Sequence, residues 1–189
     1  MRIAILSLQG AFVEHRHRLE HLGVETFLVR NASDWLQHKD GLVIPGGEST
    51  TMLRLLKDFE LETPVREEIK AGLPVLGTCA GLIMLDAVHL ATMDMEAERN
   101  AYGRQLGSFR TTGSFKGISH EIPMTFIRAP YIRKVGNDVL VKAQVDGRIV
   151  AAQQGNQLVT AFHPELDEDT ALHQYFLEIV SAWKMQKGS

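Results

Sequence analysis

The chain has 189 residues, 44% hydrophobic and 23% charged, values of an ordinary globular domain able to bury a core without disulfides or a structural metal. That composition excludes disordered and membrane-embedded classes, and a formal net charge of −3 with no run of like charges leaves no footprint for nucleic acid or an anionic membrane. A single domain over 1–189 is expected, and the lone Cys79 excludes an internal disulfide and suits a reducing cytoplasm.

The first apolar run, Ile3 to Leu8, is too short to span a membrane, lacks a signal-type cleavage site and reads as a strand. Phe12, His15, Leu19 and Leu22 then recur at helical spacing before Gly23, and Val24 to Val29 follows as a second strand, so the chain opens with a β-α-β unit. A third strand, Gly41 to Ile44, stops at Pro45-Gly46-Gly47. The helical pattern Met52, Leu53, Leu55, Leu56 and Phe59 comes next, with Ser49, Thr50 and Thr51 as candidate caps. A fourth strand, Pro74-Val75-Leu76, enters Gly77-Thr78-Cys79-Ala80-Gly81 and the apolar stretch Leu82 to Leu85. This alternation predicts a mostly parallel sheet covered by helices on both faces.

Residues 94–104 show no clear period and read as a loop near the site. From about Gln105 the pattern changes to short strands, Gln105 to Phe109, Ile122 to Ile127, Val139 to Val141, Ile149 to Ala152 and Leu158 to Ala161, with no helix signal between them. After His163-Pro164-Glu165, the segment Thr170 to Met185 sets Leu172, Tyr175, Phe176, Ile179 and Trp183 on one helical face.

Gly77-x-Cys79-x-Gly81 between a buried strand and a helix has the form of a nucleophile elbow, with cysteine where many hydrolases carry serine. A sharp turn holds the nucleophile strained and exposed, and side chains in place of the glycines would collide with adjacent strands or block the substrate. It also sets the thiol at the positive end of a helix, which favours thiolate. The competing reading is a core cysteine between two packing glycines.

A cysteine nucleophile needs a base, usually a histidine oriented by a third group. Of the eight histidines, His15, His17 and His21 fall on a polar-rich helix. His38, His89, His120 and His173 have no acidic partner in an informative context. His163 differs: it follows an apolar strand, and Pro164 pushes it toward extended geometry, in which residues i and i+2 point the same way. Glu165 is then placed to hold the imidazole. Pro45-Gly46-Gly47-Glu48-Ser49 is the third element; the Gly47 and Ala80 N–H groups form a candidate oxyanion pair, against the plain reading of a turn capped by Ser49. No GxGxxG or GxxxxGK[ST] phosphate motif occurs, and no His-x-x-x-His pair joins a carboxylate at zinc spacing, so neither metal nor cofactor is expected.

The Gly-Gly-Glu loop, the Gly-x-Cys-x-Gly elbow and His-Pro-Glu, in that order, resemble the class I, triad-type glutamine amidotransferase family. Further segments sharpen the likeness: Leu8-Gln9-Gly10-Ala11 with Glu14-His15, Ile44 to Thr51, Gly77 to Ile83, Arg99 to Gln105, Phe126 to Pro130 and Ala161 to Leu166. Together they look like the glutaminase subunits of pyridoxal 5'-phosphate synthases. The resemblance implies a flavodoxin-like three-layer α/β sandwich, with extra short strands in the C-terminal half. It also implies hydrolysis of L-glutamine to glutamate and ammonia by Cys79, His163 and Glu165, and a (β/α)8-barrel synthase partner that uses the ammonia; the vitamin B6 cofactor is that complex's product. By position it assigns Gly46, Gly47, Glu48, Arg104, Ile127 and Arg128 to the glutamine pocket. Asp167-Glu168-Asp169 is more acidic than the family pattern, which leaves the chemistry untouched but bears on local contacts. Two rivals stand beside this reading: a triad glutaminase serving a different synthase, and a catalytically silent subunit that regulates its partner.

Overall fold

A computed structural model describes residues 1–99 and 108–188. The first half alternates as expected: β1 (Arg2–Leu6), α1 (Phe12–His21), β2 (Glu25–Val29), α2 (Ala32–Trp35), β3 (Gly41–Ile44), α3 (Ser49–Asp58), α4 (Glu62–Lys70), β4 (Val75–Thr78) and α5 (Ala80–Leu85). The second half holds β5 (Met95–Glu98), β6 (Ser108–Gly113), β7 (Ile122–Ile127), β8 (Tyr131–Val135), β9 (Leu140–Val145), β10 (Arg148–Gln154), β11 (Gln157–Thr160) and α6 (Ala171–Lys187).

The main sheet runs β2-β1-β3-β4-β11-β10-β8-β5, with β9 also on β10, and β6-β7 forms a separate hairpin. Pairs from β2 through β11 are parallel; those of β10 with β11, β9 and β8, and of β8 with β5, are antiparallel. All four residues of β3 and of β4 are buried. Successive residues point to opposite faces, so helices must cover both. On one face α1 meets α6 through His15 and His173, while Phe176 and Val180 of α6 press on Gly41. The β6-β7 hairpin instead alternates, with Ile122, Met124 and Phe126 of β7 buried between less buried residues, the pattern of a sheet with one wetted face.

Several local readings change. Residues 94–104 are not all loop: Met95–Glu98 pairs with β8 as an edge strand, and its period was masked because only Met95 of its four residues is fully buried. β8 and the helices α2 and α4 also escaped the sequence reading. The strand expected at Gln105 to Phe109 begins outside the described residues, and β6 is described from Ser108. The cap of α3 is none of Ser49, Thr50 and Thr51. It is Glu48, whose carboxylate accepts from the Thr50 and Thr51 N–H groups at 3.1 and 2.7 Å, so the anion meets the positive helix end. These bonds, the Thr51 hydroxyl foremost, pull the Glu48 carboxyl down to about 2.

Candidate active site

The parallel register of β4 with β11 builds the site. Thr78 pairs with Thr160 and the Cys79 N–H donates to the Thr160 carbonyl at 2.8 Å, so both strands release their chains at the same edge. One exit delivers Cys79, the other His163. Cys79 turns with φ 51 and ψ −101 before α5 begins at Ala80, a left-handed geometry that a side-chain-bearing residue adopts only when its surroundings enforce it. The enforcement is close packing. A Cβ on Gly81 would run into the Ile44 carbonyl of β3, and one on Gly77 would come within 2.9 Å of the Gly81 backbone. Both glycines are therefore required by contact, as the elbow reading expects.

His163 and Glu165 do lie side by side, with Nδ1 to Oε1 at 2.6 Å, but not through extended chain. Pro164–Leu166 is a 3-10 turn with the proline in its first position; the fixed proline φ suits a helix start better than a strand, and the tight turn folds the carboxylate back under the ring. Nδ1 being taken, the other ring nitrogen of His163 is left free for chemistry at the cavity it shares with Cys79. Burial disfavours the charged imidazole, but the bonds to Cys79 and Glu165 outweigh it and push His163 up to about 10. Glu165 shows the converse: burial favours the neutral acid, yet His15 and His163 hold its carboxyl below the usual range. At neutral pH the arrangement is an imidazolium on a carboxylate, beside Cys79.

The turn carrying His163 and Glu165 is anchored by residues the sequence reading passed over. The Thr125 carbonyl in β7 accepts the His163 N–H at 2.8 Å, and its hydroxyl donates to Asp167 at 3.0 Å. Asp167 also pairs with Arg110 of β6 at 2.8 Å, and Asp169 receives the Ala171 N–H at the start of α6. The acidic turn thus has local partners on three neighbouring elements, β6, β7 and α6. Acidic partners were missed elsewhere as well, since each lies at a spacing without a motif: Asp86 Oδ1 is 2.7 Å from His89 Nδ1, and His120 meets Asp169 at 2.7 Å. His15, expected to be bland, is fully buried behind Glu165.

Two concavities open on Cys79. One, about 370 Å³, is lined by Gln9, Gly47, Glu48, Ala80, Arg99 and Arg128 among others; the other, about 300 Å³, includes Gly46, Gly47, Ile127, Arg128 and His163. The structure thus gathers Gly46, Gly47, Glu48, Ala80, Ile127 and Arg128 around the thiol. Arg104 lies outside the described residues. Glu48 reaches the wall with its carboxylate turned toward α3. The Ile127 carbonyl is 4.0 Å from Cys79 Sγ, and Arg128 has φ 45. Arg99, unassigned from sequence, joins the rim and donates to the Thr50 hydroxyl at 2.9 Å. Gly46 packs so closely that a Cβ there would overlap the His163 ring. The segment around Gln9-Gly10 grips this loop: Gln9 Oε1 accepts from the Glu48 N–H at 2.7 Å, and Ala11 N–H donates to the Gly46 carbonyl at 2.9 Å. Among the described residues no group of three His, Cys, Asp or Glu is placed to hold a metal ion, and no helix is long and apolar enough to cross a membrane.

The fold and this site place the chain among the α/β glutamine amidotransferases: a crystal structure of a glutamine amidotransferase aligns at TM-score 0.88 with 39% identity, over 95% of this chain and 98% of that one. A PurLQS structure from Thermotoga maritima shares the fold at TM-score 0.73 and 16% identity, over 94% of this chain and 97% of that one. More narrowly, the chain belongs to the SNO glutamine amidotransferase family, which matches residues 5–182. Relatives described as pyridoxal 5'-phosphate synthase subunit PdxT are similar to it: one from Methanocorpusculum labreanum is 57% identical, over 96% of this chain and 98% of its own. Another, from Streptococcus pneumoniae strain CGSP14, is also 57% identical, over 95% and 97%.

Proposed function

We propose that the chain, acting as one domain, is the glutaminase of a pyridoxal 5'-phosphate synthase, with Cys79, His163 and Glu165 as its triad. The observation that carries the reading is the Cys79–His163–Glu165 line itself: a strained cysteine at an open cavity, beside an imidazolium that a buried carboxylate holds at 2.6 Å. The Cys79 thiolate attacks the side-chain amide carbon of glutamine, and the carbonyl electrons move onto an oxyanion held by the Gly47 and Ala80 N–H groups. His163 gives its proton to the departing nitrogen, releasing ammonia and leaving a glutamyl thioester. Water then loses a proton to His163 and attacks the thioester, freeing glutamate and restoring the thiolate–imidazolium pair. Gly46, Gly47, Glu48, Arg104, Ile127 and Arg128 form the glutamine pocket; a guanidinium from Arg128 or Arg104 suits the substrate carboxylate.

Ammonia set free at an open cavity would be lost, so we assign the product to a synthase partner, a (β/α)8 barrel, in the cytoplasm. Relatives at 57% identity carry the synthase-subunit description, which favours this partner over a different synthase or a silent regulatory role. Gly47 and Glu48 are exposed, and a Gly47 whose N–H turns away from the cavity gives no oxyanion support; one such donor is worth about 3 kcal/mol of barrier. The isolated chain is therefore expected to release glutamate slowly, and saturating partner to raise the rate at least tenfold. Equal rates would leave a constitutive glutaminase. Cys79→Ala in the complex is expected to abolish release, with the thiol also the point where a glutamine-like electrophile adds; retained activity in folded Cys79→Ala protein would remove the mechanism.

A further inference from the structure

Behind Glu165 lies a buried polar chain that the reaction above does not use. His15 of α1 and His173 of α6 are both completely buried, joined Nδ1 to Nε2 at 3.0 Å. His15 Nε2 sits 3.0 Å from the Thr78 hydroxyl and 3.4 Å from Glu165 Oε2. Glu165 Oε2 otherwise has no hydrogen-bond partner, and neither has His173 Nδ1. One turn further along α1, Arg18 Nε donates to the Glu165 backbone carbonyl at 3.2 Å. Helix α1 therefore approaches Glu165 at two points, i and i+3 on one face.

The contacts in this chain favour one set of proton positions. Burial keeps His15 and His173 neutral, against the attraction of Glu165, so each ring has one N–H and one lone pair. If His15 carried its proton on Nδ1, His173 would accept at Nε2 and bear a buried, unpartnered N–H at Nδ1. The His15 lone pair would then also face the Glu165 carboxylate. If His15 carries it on Nε2, His173 Nε2–H donates to His15 Nδ1, and His15 Nε2–H meets Thr78 Oγ1 at 3.0 Å with Glu165 Oε2 beside it at 3.4 Å. A lone pair on His173 and the Thr78 hydroxyl proton are then left over, but an N–H faces the buried Glu165 carboxylate, whose Oε2 has no other partner, and a carboxylate without a donor is the costlier omission.

We propose that His15, with its tautomer set by His173, is a positioning residue that supplies the second hydrogen-bond donor to Glu165, holding that carboxylate ionised and its Oε1 aimed at His163. The inference rests on the triad reading, which it deepens: donors run His173 to His15 to Glu165 from one side and His163 to Glu165 from the other. The charged and titratable groups bearing on His15 are Glu165 and His163 on the turn, Glu14 on its own helix and His173 on α6, and those bearing on His173 are His15, Glu165 and Arg18.

The test compares His15→Leu, which keeps bulk and loses the donor, with His15→Gln, whose amide N–H can stand where Nε2–H stood. Both are assayed in complex with the synthase partner. His15→Leu is expected to lower kcat at least tenfold with KM changed less than twofold, and to move the acid limb of the kcat profile up by about one pH unit, since a carboxylate stripped of a donor protonates more readily. His15→Gln is expected to recover kcat to within threefold of wild type and return the limb. A folded His15→Leu with wild-type kcat, or a His15→Gln as slow as His15→Leu, would overturn the proposal. Imidazole ¹⁵N spectra of the unmutated chain give a second reading that no folding defect can spoil. Nε2-protonated, neutral rings are expected for both His15 and His173 between pH 6 and 8, and an Nδ1–H or cationic His15 would overturn the proposal equally. Cys79→Ala separates the two levels. If it stays active the triad reading falls, whereas if it is dead and His15→Leu is not, the positioning role alone falls.

Discussion

Glu165 has two sides, and histidine behaves oppositely on each. On the cavity side His163 is 7% exposed and beside a thiol; its bonds to Cys79 and Glu165 outweigh burial and keep it cationic far above the ordinary histidine range. On the core side His15 and His173 are fully buried, and there burial outweighs the same carboxylate and keeps both neutral, His173 down to about 3. One carboxylate cannot neutralise three cations in a low-dielectric space, so the shortest contact decides: 2.6 Å to His163 against 3.4 Å to His15. The residue type sets no charge by itself; the balance of desolvation and partner does.

The sharpest break in this comparison comes from the cavity side. On the proposed mechanism His163→Asn removes the group that moves protons and is expected to cost on the order of 10⁵-fold in single-turnover glutamine hydrolysis, with Glu165→Gln about tenfold to a hundredfold less severe because the carboxylate would only orient the base. If Glu165→Gln were the slower variant, their roles would be reversed. Gly46→Ala is the next largest effect. Its Cβ would overlap the His163 ring and come within 3.3 Å of Cys79 Cβ, so a displacement near 1 Å is expected to cost about 10²-fold in rate while circular dichroism stays unchanged. Wild-type turnover would mean that the cavity side yields more easily than its packing implies.

Smallest, but of opposite sign on the two sides, is the pH dependence of stability. His163 is raised, so its contribution is whole below pH 6.5 and lost as pH climbs toward about 10. His15 and His173 are lowered, so theirs is whole above pH 6.5 and lost as pH falls, for His173 toward about 3. Glu165, also lowered, loses its own contribution on acidification below 4.5. Thermal melts of Cys79–His163-intact protein should therefore fall off on both flanks. His163→Asn should flatten the alkaline flank, and His173→Leu the acid one, each by a few degrees at about 2–4 °C per kcal/mol for a chain this size. Identical profiles for both variants would dissolve the distinction.

What local chemistry dictates was legible in the sequence. The spacing of glycines around Cys79 follows from a turn that leaves no room for a Cβ, and the strand-helix alternation through Leu85 follows from apolar periodicity, so both could be read before any contact was known. His163-Pro164-Glu165 was readable as a pair, although proline's fixed φ produces a 3-10 turn where extended chain was expected. The edge strand Met95–Glu98 was hidden, since a half-exposed edge leaves little apolar signal. So was the capping by Glu48, whose carboxylate competes with three hydroxyl residues for the same N–H groups. Only tertiary structure decided which histidines matter and how they are charged. The parallel pairing of β4 with β11 brings Cys79 to His163, and the packing of α1 on α6 seals His15 and His173 behind Glu165. Burial and distance belong to neighbours far along the chain, and no local pattern of residues encodes them.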